Sequence, residues 1–559
     1  MADYTYDAIV IGSGISGGWA AKELTEKGLK TIILERGRNV EHIKDYTDTT
    51  KDPWQLSHHG GITQQDRINS PVQSRVYAWN EVSKKFFVND LENPYTQAKP
   101  FDWFRGYQVG GRSLTWGRQC YRWSDIDLEA NKKDGYGVDW PVRYNEIEKW
   151  YDYVEKFVGI SGSKEGLVQL PDGQFLPPMD MTIVEKDVAA RIKKKFNGER
   201  CMIIGRTANH TIQEGKRGVC QYRNKCQEGC PFGGYFSTQS ATLPAATATG
   251  NLTVRPFSIV MKILYDKDRK RATGVEVLDA ETNKTYVYKA KIIFLNASTL
   301  NSAWILMNSA TDVWPGGLGS SSEELGHNVM DHHAGVRASG TIEGYEDKYY
   351  YGRRPNGIYI PRYRNLFGEK RDYVRGFGYQ GGSGRQGWSR DNPELSFGAD
   401  LKEELTEPGK WSMGLFAFGE TLPYHENKVT LDKVKKDKWG LNILSVEIEC
   451  KENELKMRKD MKDDAIEMLE AAGLKNVNGI DTNNTLGRAI HEMGSARMGK
   501  DPKTSVLNKW NQVWDAPNVF VTDGSFMASS ACQNPSLTYM AFTARAADYA
   551  VSELKKGNL

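Results

Sequence analysis

Three of the seven cysteines in this 559-residue chain fall within eleven positions, in the segment CQYRNKCQEGCPFGG (220–234). Cys220, Cys226 and Cys230 have the spacing Cys-x5-Cys-x3-Cys, with Pro231 after the last. Thiolates this close suit a soft metal centre. Zinc usually takes a fourth ligand. Cys201 and His210 lie upstream, but neither has ligand-like spacing. Iron–sulfur clusters are also held by cysteine thiolates, and proline after a ligating cysteine is familiar there. Three ligands fit a [3Fe-4S] cluster, and Cys201 would complete a [4Fe-4S]. Buried or disulfide-bonded cysteines are the plain reading. Cys120 and Cys450 stand alone and read as packing residues; Cys532 lies two positions before Asn534 and receives no role.

A second set of residues suits a nucleotide. Gly12-Ser-Gly14-Ile-Ser-Gly17 is a G-x-G-x-x-G turn, and Glu35 follows 23 positions after Gly12. Glycines admit a pyrophosphate close to the backbone, a helix N-terminus supplies free N–H groups, and a carboxylate accepts from a ribose hydroxyl pair. A second glycine-rich loop, GYQVGGRSLTWG (106–117), carries Gly110, Gly111 and Ser113 and reads as chain that closes over a ligand.

These residues need elements to position them. Asp7–Gly12 reads as a buried parallel strand, WAAKELTEKG as a helix ending at Gly28, and Thr31–Leu34 as a second strand. Together they make a βαβ unit. From Asn251 the runs NLTVRPFSIV, MKILYD, ATGVEVLD and YVYKAKIIFLNAS have the alternation and β-branching of strands. Asn296–Trp304 turns from strand into helix. From about 330 to 475 the chain reads as an antiparallel sheet with long loops; ENKVTLDK (426–433) is a hairpin edge, and 452–473 an amphipathic helix.

Composition bounds the rest. Lys+Arg number 74 against 71 Asp+Glu, a net charge of +3, so no nucleic-acid partner is implied. No window approaches the apolar length of a membrane span. MADYTYDAIVIGSG runs into a strand with no basic n-region, apolar core or twin arginine, and so predicts no export signal of the chain's own. The odd, clustered cysteines argue against a disulfide framework.

Four blocks, GSGISGGWAAKEL, GGRSLTWG, HEMGSARMG and VTDGSFM…NPSLTYMAFTARAAD, together resemble the glucose–methanol–choline (GMC) oxidoreductases over nearly the whole chain. The resemblance implies an α/β fold: a Rossmann-type FAD-binding domain interleaved with an α+β substrate domain built on an antiparallel sheet. The expected division is 1–45, 100–125, 205–325 and 480–559 for FAD, with the cysteine segment 218–234, and 46–99, 126–204 and 326–479 for substrate. It implies His491 and Asn534 as the catalytic pair beside the alcohol carbon. A neutral imidazole suits proton abstraction near neutral pH, and an amide can donate to the developing alkoxide. Gly12, Gly14, Gly17, Glu35, Gly110, Gly111, Ser113, Val260 and Asp523 are the implied flavin contacts. Thr115 stands where some sugar oxidases of the family attach flavin to a histidine, so non-covalent FAD is expected.

The cysteines resemble those of bacterial FAD-dependent sugar dehydrogenases with a three-cysteine cluster, among them fructose and glucose dehydrogenase catalytic subunits and glycoside 3-dehydrogenases. That implies a [3Fe-4S] cluster on Cys220, Cys226 and Cys230, an external one-electron acceptor such as a cytochrome c, and a small export or chaperone subunit carrying the chain to the periplasm; a cytoplasmic location is the alternative. Relatives with Asn-Pro in the last block act mainly on sugars. KYYYGRRPNGIYIPRYR (348–364) and GFGYQGGSGRQGWSR (376–390) are expected to build a wet pocket with stacking rings, with Gln380 touching a sugar hydroxyl. The expected reaction is sugar or glycoside oxidation, with C3 of a glucoside ahead of C1 of glucose, and an oxygen-using flavin oxidase as runner-up.

Overall fold

The computed structural model describes residues 3–387, 397–482 and 485–559. The end of the 376–390 stretch, at 388–390, therefore lies outside the described residues.

Strand β1 (Asp3–Ile11), helix α1 (Ile15–Glu26) and strand β2 (Thr31–Leu34) form the βαβ unit read from the sequence. β1 and β2 pair in parallel, Ala8 opposite Thr31. The parallel core continues on both sides: β2 pairs with Leu252–Arg255, β1 with Thr285–Leu295, and that strand with Ala516–Val521. Strands covered on both faces carry apolar runs without alternation, and Ala8, Ile9, Val10, Ile32, Ile33 and Leu34 are all buried. A hairpin, Ser258–Asp266 with Arg271–Asp279, attaches antiparallel to Thr285–Leu295. The closing helix Ser536–Lys555 packs back on α1.

The second sheet is antiparallel, in the order Lys475–Asp481, His333–Ile342, Trp411–Gly419, Phe377–Arg385, Ile358–Ile360, Ile203–Ile204. One face is covered by helices Ile183–Lys195 and Glu452–Ala471. The longer helix turns Met457, Met461, Ala465 and Met468 inward at helical spacing. Successive strand residues point to opposite faces. Phe377 and Tyr379 therefore sit in this helix-backed core, and Gln380 lines a cavity between the two sheets. The expected hairpin is also present: Lys428–Lys436 pairs with Asn442–Glu447 and lies at the edge of a three-stranded sheet. Among the described residues no helix is long and apolar enough to cross a membrane.

Candidate active site

A cavity of about 450 Å³ opens where β1 ends, within the usual range for a cofactor or ligand pocket. Its floor is the glycine turn, and the three glycines there have different tasks. Gly12 has φ +91°, and a Cβ on it would lie 2.5 Å from the Asn296 carbonyl oxygen. A Cβ on Gly17 would lie 2.0 Å from the Gly12 carbonyl oxygen, so Gly17 lets helix and strand approach. A Cβ on Gly14 would meet nothing within 4 Å: this position faces the cavity. Space above Gly14 at the N-terminus of α1 is where a pyrophosphate fits.

Glu35 lines the same cavity and is buried. Its carboxylate accepts from the Ser13 N–H (3.0 Å), the Ser13 hydroxyl (2.5 Å) and the Gly37 N–H (3.0 Å). Burial pushes its carboxyl up in pKa, against those three donors. Asn296 supplies another signature of a missing partner. Its amide nitrogen donates to Thr522 (2.7 Å), while its buried Oδ1, beside the cavity, has no hydrogen-bond partner. Val260, Gly111, Ser113 and Asp523 also line the cavity. Ser113 Oγ bonds Gly110 O at 2.6 Å and Thr238 N at 3.0 Å. Asp523 caps the turn Gly524–Phe526 and accepts from Ser302 at 2.5 Å. Gly110 has φ +93° and is walled off by Gln239, so it shapes the loop from behind. The cradle, the carboxylate and the orphaned Asn296 oxygen fit FAD. Thr115 lines the cavity with a hydroxyl, which cannot form the histidyl linkage.

In the same cavity His491 Nε2 lies 3.1 Å from Asn534 Nδ2. His491 hangs from a loop pinned by Asp331, whose carboxylate accepts from the Gly487, Ala489 and His491 N–H groups at 2.7, 3.3 and 2.8 Å. Burial, together with the charge of Glu492, pushes Asp331 up to about 7. Burial, His332 and Arg112 hold His491 well below an ordinary histidine, so its imidazole is neutral. Asn534 Oδ1 accepts from Gln380 Nε2 at 2.7 Å.

The structure corrects one expectation about the aromatic stretches. Tyr349 and Tyr351 are 71% and 91% exposed, and Tyr359 is buried in a stack on Tyr121 at 3.9 Å. From 348–364 the cavity takes Pro355 and Asn356, and from 376–387 it takes Gln380. Amides therefore line this wall, and a ring comes from Phe418 on the neighbouring strand.

Several contributors escaped sequence reasoning. Arg112 forms a two-pronged ion pair with Glu492 (3.0 and 2.8 Å), locking the GGRS loop to the segment bearing His491. His332 Nδ1 lies 2.9 Å from His491 Nδ1. Gln119 donates to Gln380 at 3.2 Å. Asp331, His332 and His333 are adjacent in sequence; three buried polar residues opening a strand are the available signal.

The three cysteines lie on a loop against the cavity wall. Gln227, between Cys226 and Cys230, lines the cavity. Arg118 also lines it, and its charge acts on Cys220 and Cys226. Burial pushes the Cys220 thiol up to about 11, with Cys226 and Cys230 adding to the effect. All three are free thiols. Among the described residues no three histidine, cysteine or acidic side chains converge on a single-ion site. Cys201 packs beside Tyr121, Leu170 and Ile203, and a Cβ on Gly159 would lie 2.2 Å from the His210 ring; neither joins such a group. Cys120 and Cys450 are buried in the main core.

Comparison with known proteins gives the family. The family models for GMC oxidoreductases match residues 6–334 and 423–543. The chain belongs to the GMC oxidoreductase family, and it is an FAD-dependent oxidoreductase of alcohol or sugar groups. It is 28% identical to a 2-methyl-1,2-propanediol dehydrogenase from Mycolicibacterium austroafricanum, over 98% of this chain and 95% of that one. It is 25% identical to the fructose dehydrogenase large subunit of Gluconobacter japonicus, over 99% and 98%. Among solved structures it resembles a formate oxidase of Aspergillus oryzae RIB40, with TM-score 0.60 and 12% identity, covering 100% of both chains.

Proposed function

We propose that this protein is a sugar or glycoside dehydrogenase that oxidises a ring hydroxyl, C3 of a glucoside first among the choices. Electrons would then pass through a [3Fe-4S] cluster on Cys220, Cys226 and Cys230 to an external acceptor such as a cytochrome c. The observation that carries the reading is the His491–Asn534 pair facing the cavity that the glycine cradle also lines.

FAD supplies the hydride acceptor when bound. The protein's share is proton handling and orientation. An alcohol oxygen beside the pair, taking the place of the Asn534 N–H at His491 Nε2, loses its proton to the imidazole and gains an amide hydrogen bond from Asn534 as negative charge develops. The amides of Gln380 and Asn356 on the same wall suit a polyhydroxyl substrate. A relative named for fructose supports a sugar, and its name as a large subunit supports a multi-subunit assembly, in which a signal-bearing partner carries this chain to the periplasm.

The cysteine loop's contact with the cavity wall supports the cluster, which the three thiolates would hold and which would carry electrons outward one at a time. C1 oxidation of glucose and an oxidase that uses oxygen are the competing reactions; Asn534, shared by all three, does not choose among them.

The test is anaerobic purification, iron and sulfide analysis, and low-temperature EPR before and after adding methyl glucoside, glucose or fructose. About three irons per flavin and a signal abolished by sugar support the cluster route. Flavin without iron, with hydrogen peroxide formed in step with sugar consumed, refutes it and favours the oxidase.

A further inference from the structure

We infer that one backbone carbonyl, that of Ala531, acts through His332 to fix the tautomer of His491 and to orient the amides that face it. This rests on the reading of His491 as the base, and it adds His332 as a positioning residue.

His332 faces an acceptor that has no choice. His332 Nε2 is in hydrogen-bond contact with the Ala531 carbonyl oxygen. A carbonyl only accepts, so His332 Nε2 bears the proton. His332 is buried, and burial holds its pKa down at about 4, so the ring is neutral and its Nδ1 is a lone pair. That lone pair lies 2.9 Å from His491 Nδ1. His491 must therefore carry its proton on Nδ1 and donate it. Being neutral as well, it presents a bare Nε2 to the cavity.

The same polarity continues on the other side. A bare Nε2 at 3.1 Å from Asn534 requires the Asn534 amide nitrogen there, which turns Oδ1 towards Gln380 Nε2 at 2.7 Å. Gln380 Oε1 then accepts from Gln119 Nε2 at 3.2 Å, and Gln119 Oε1 from the buried Tyr121 hydroxyl at 2.5 Å. Every link runs in one direction, from Tyr121 to Ala531. The reversed chain would end with a nitrogen lone pair against the Ala531 carbonyl.

The consequence is catalytic. The nitrogen that must take the alcohol proton is unprotonated before substrate arrives. As it becomes protonated, Nδ1–H still has its acceptor in His332. Without His332 the ring is free to adopt the other tautomer, in which Nε2 is a donor and no base. A wrong tautomer of a catalytic histidine costs orders of magnitude in rate.

The test uses the FAD-loaded protein labelled with 15N-histidine. Signals are assigned by their loss in His491→Ala and His332→Asn. The inference expects His491 protonated at Nδ1 and bare at Nε2, and His332 protonated at Nε2. In parallel, flavin reduction by whichever of methyl glucoside, glucose or fructose reduces the wild-type flavin is timed without oxygen. His332→Phe keeps the ring and removes the acceptor; the rate should fall by about a hundredfold or more. His332→Asn restores an oxygen acceptor near Nδ1 and should recover to within about tenfold of wild type. FAD content and melting temperature control for folding. His491 protonated at Nε2 overturns the inference, as does His332→Phe at wild-type rate. The expected tautomers in a protein whose His491→Ala variant keeps full turnover would support the tautomer assignment and overturn the catalytic reading instead.

Discussion

Nε2 of His491 and Nδ2 of Asn534 lie 3.1 Å apart although 43 residues separate them in the chain. The two residues come from different loops, one held by Asp331 and the other leading into the closing helix. An alcohol oxygen placed beside the pair meets a base and a donor together.

Replacing His491 by Ala should slow anaerobic flavin reduction by about 10²–10⁴-fold, the usual worth of a positioned general base. FAD content should stay near wild type, because the His491 side chain makes no contact with the glycine turn. Stopped-flow flavin absorbance measures it. A loss of less than about tenfold would remove His491 from the reaction.

The pH profile has a definite sign. The base works in its neutral form, and burial with His332 and Arg112 beside it lowers His491 well below 6.5. Activity should therefore persist as pH falls through 6.5 and decline only below it. Flavin-reduction rates from pH 5 to 8 check this; because Asp331, which holds the loop, is pushed up to about 7, the midpoint that contradicts it is one at or above 6.5 that persists in Asp331→Asn.

Two glycine substitutions should fail differently. Gly14→Ala places a methyl in the open cradle, at φ −65°, where it strains nothing. The apoprotein should melt as wild type does while FAD binds at least about tenfold more weakly, or about 1.4 kcal/mol. Gly17→Ala would put its methyl 2.0 Å from the Gly12 carbonyl oxygen, so the fold itself should be destabilised. Calorimetry of apoprotein and flavin titration separate the two.

Asp331→Asn should destabilise the His491 loop. The carboxylate accepts three N–H groups, and an amide would turn its own donor towards at least one of them. A buried donor left unmatched costs about 1–3 kcal/mol. Denaturant melts give the loss, and a lower kcat for the folded fraction reports the displaced imidazole.

Cys226→Ser should remove iron while leaving FAD and substrate-driven flavin reduction in place, and should abolish transfer to a one-electron acceptor such as cytochrome c. Iron analysis with a cytochrome reduction assay reads both. Unchanged cytochrome reduction would refute the cluster route.

Much of this molecule is legible along the chain. The apolar runs of β1 and β2, the glycine spacing between them and Glu35 are local, and the βαβ unit they make lies within one stretch of 35 residues. The strands from 252 to 295 and the amphipathic helix at 452–471 follow from side-chain period alone. His491 and Asn534 are recognisable from the motifs around them.

Only the tertiary structure decided what those two side chains face. Gln380 sits on a strand of alternating faces, and its amide, expected at a sugar, is also bonded to Asn534. Tyr359 has the composition of a stacking wall, yet its stack is with Tyr121 inside the protein. His332 is 159 residues from the imidazole it touches, and Ala531 is 199 residues from His332. Local sequence fixes which backbone period forms. Which buried donor meets which acceptor depends on how two sheets far apart in the chain pack across one cavity, and no periodicity encodes that.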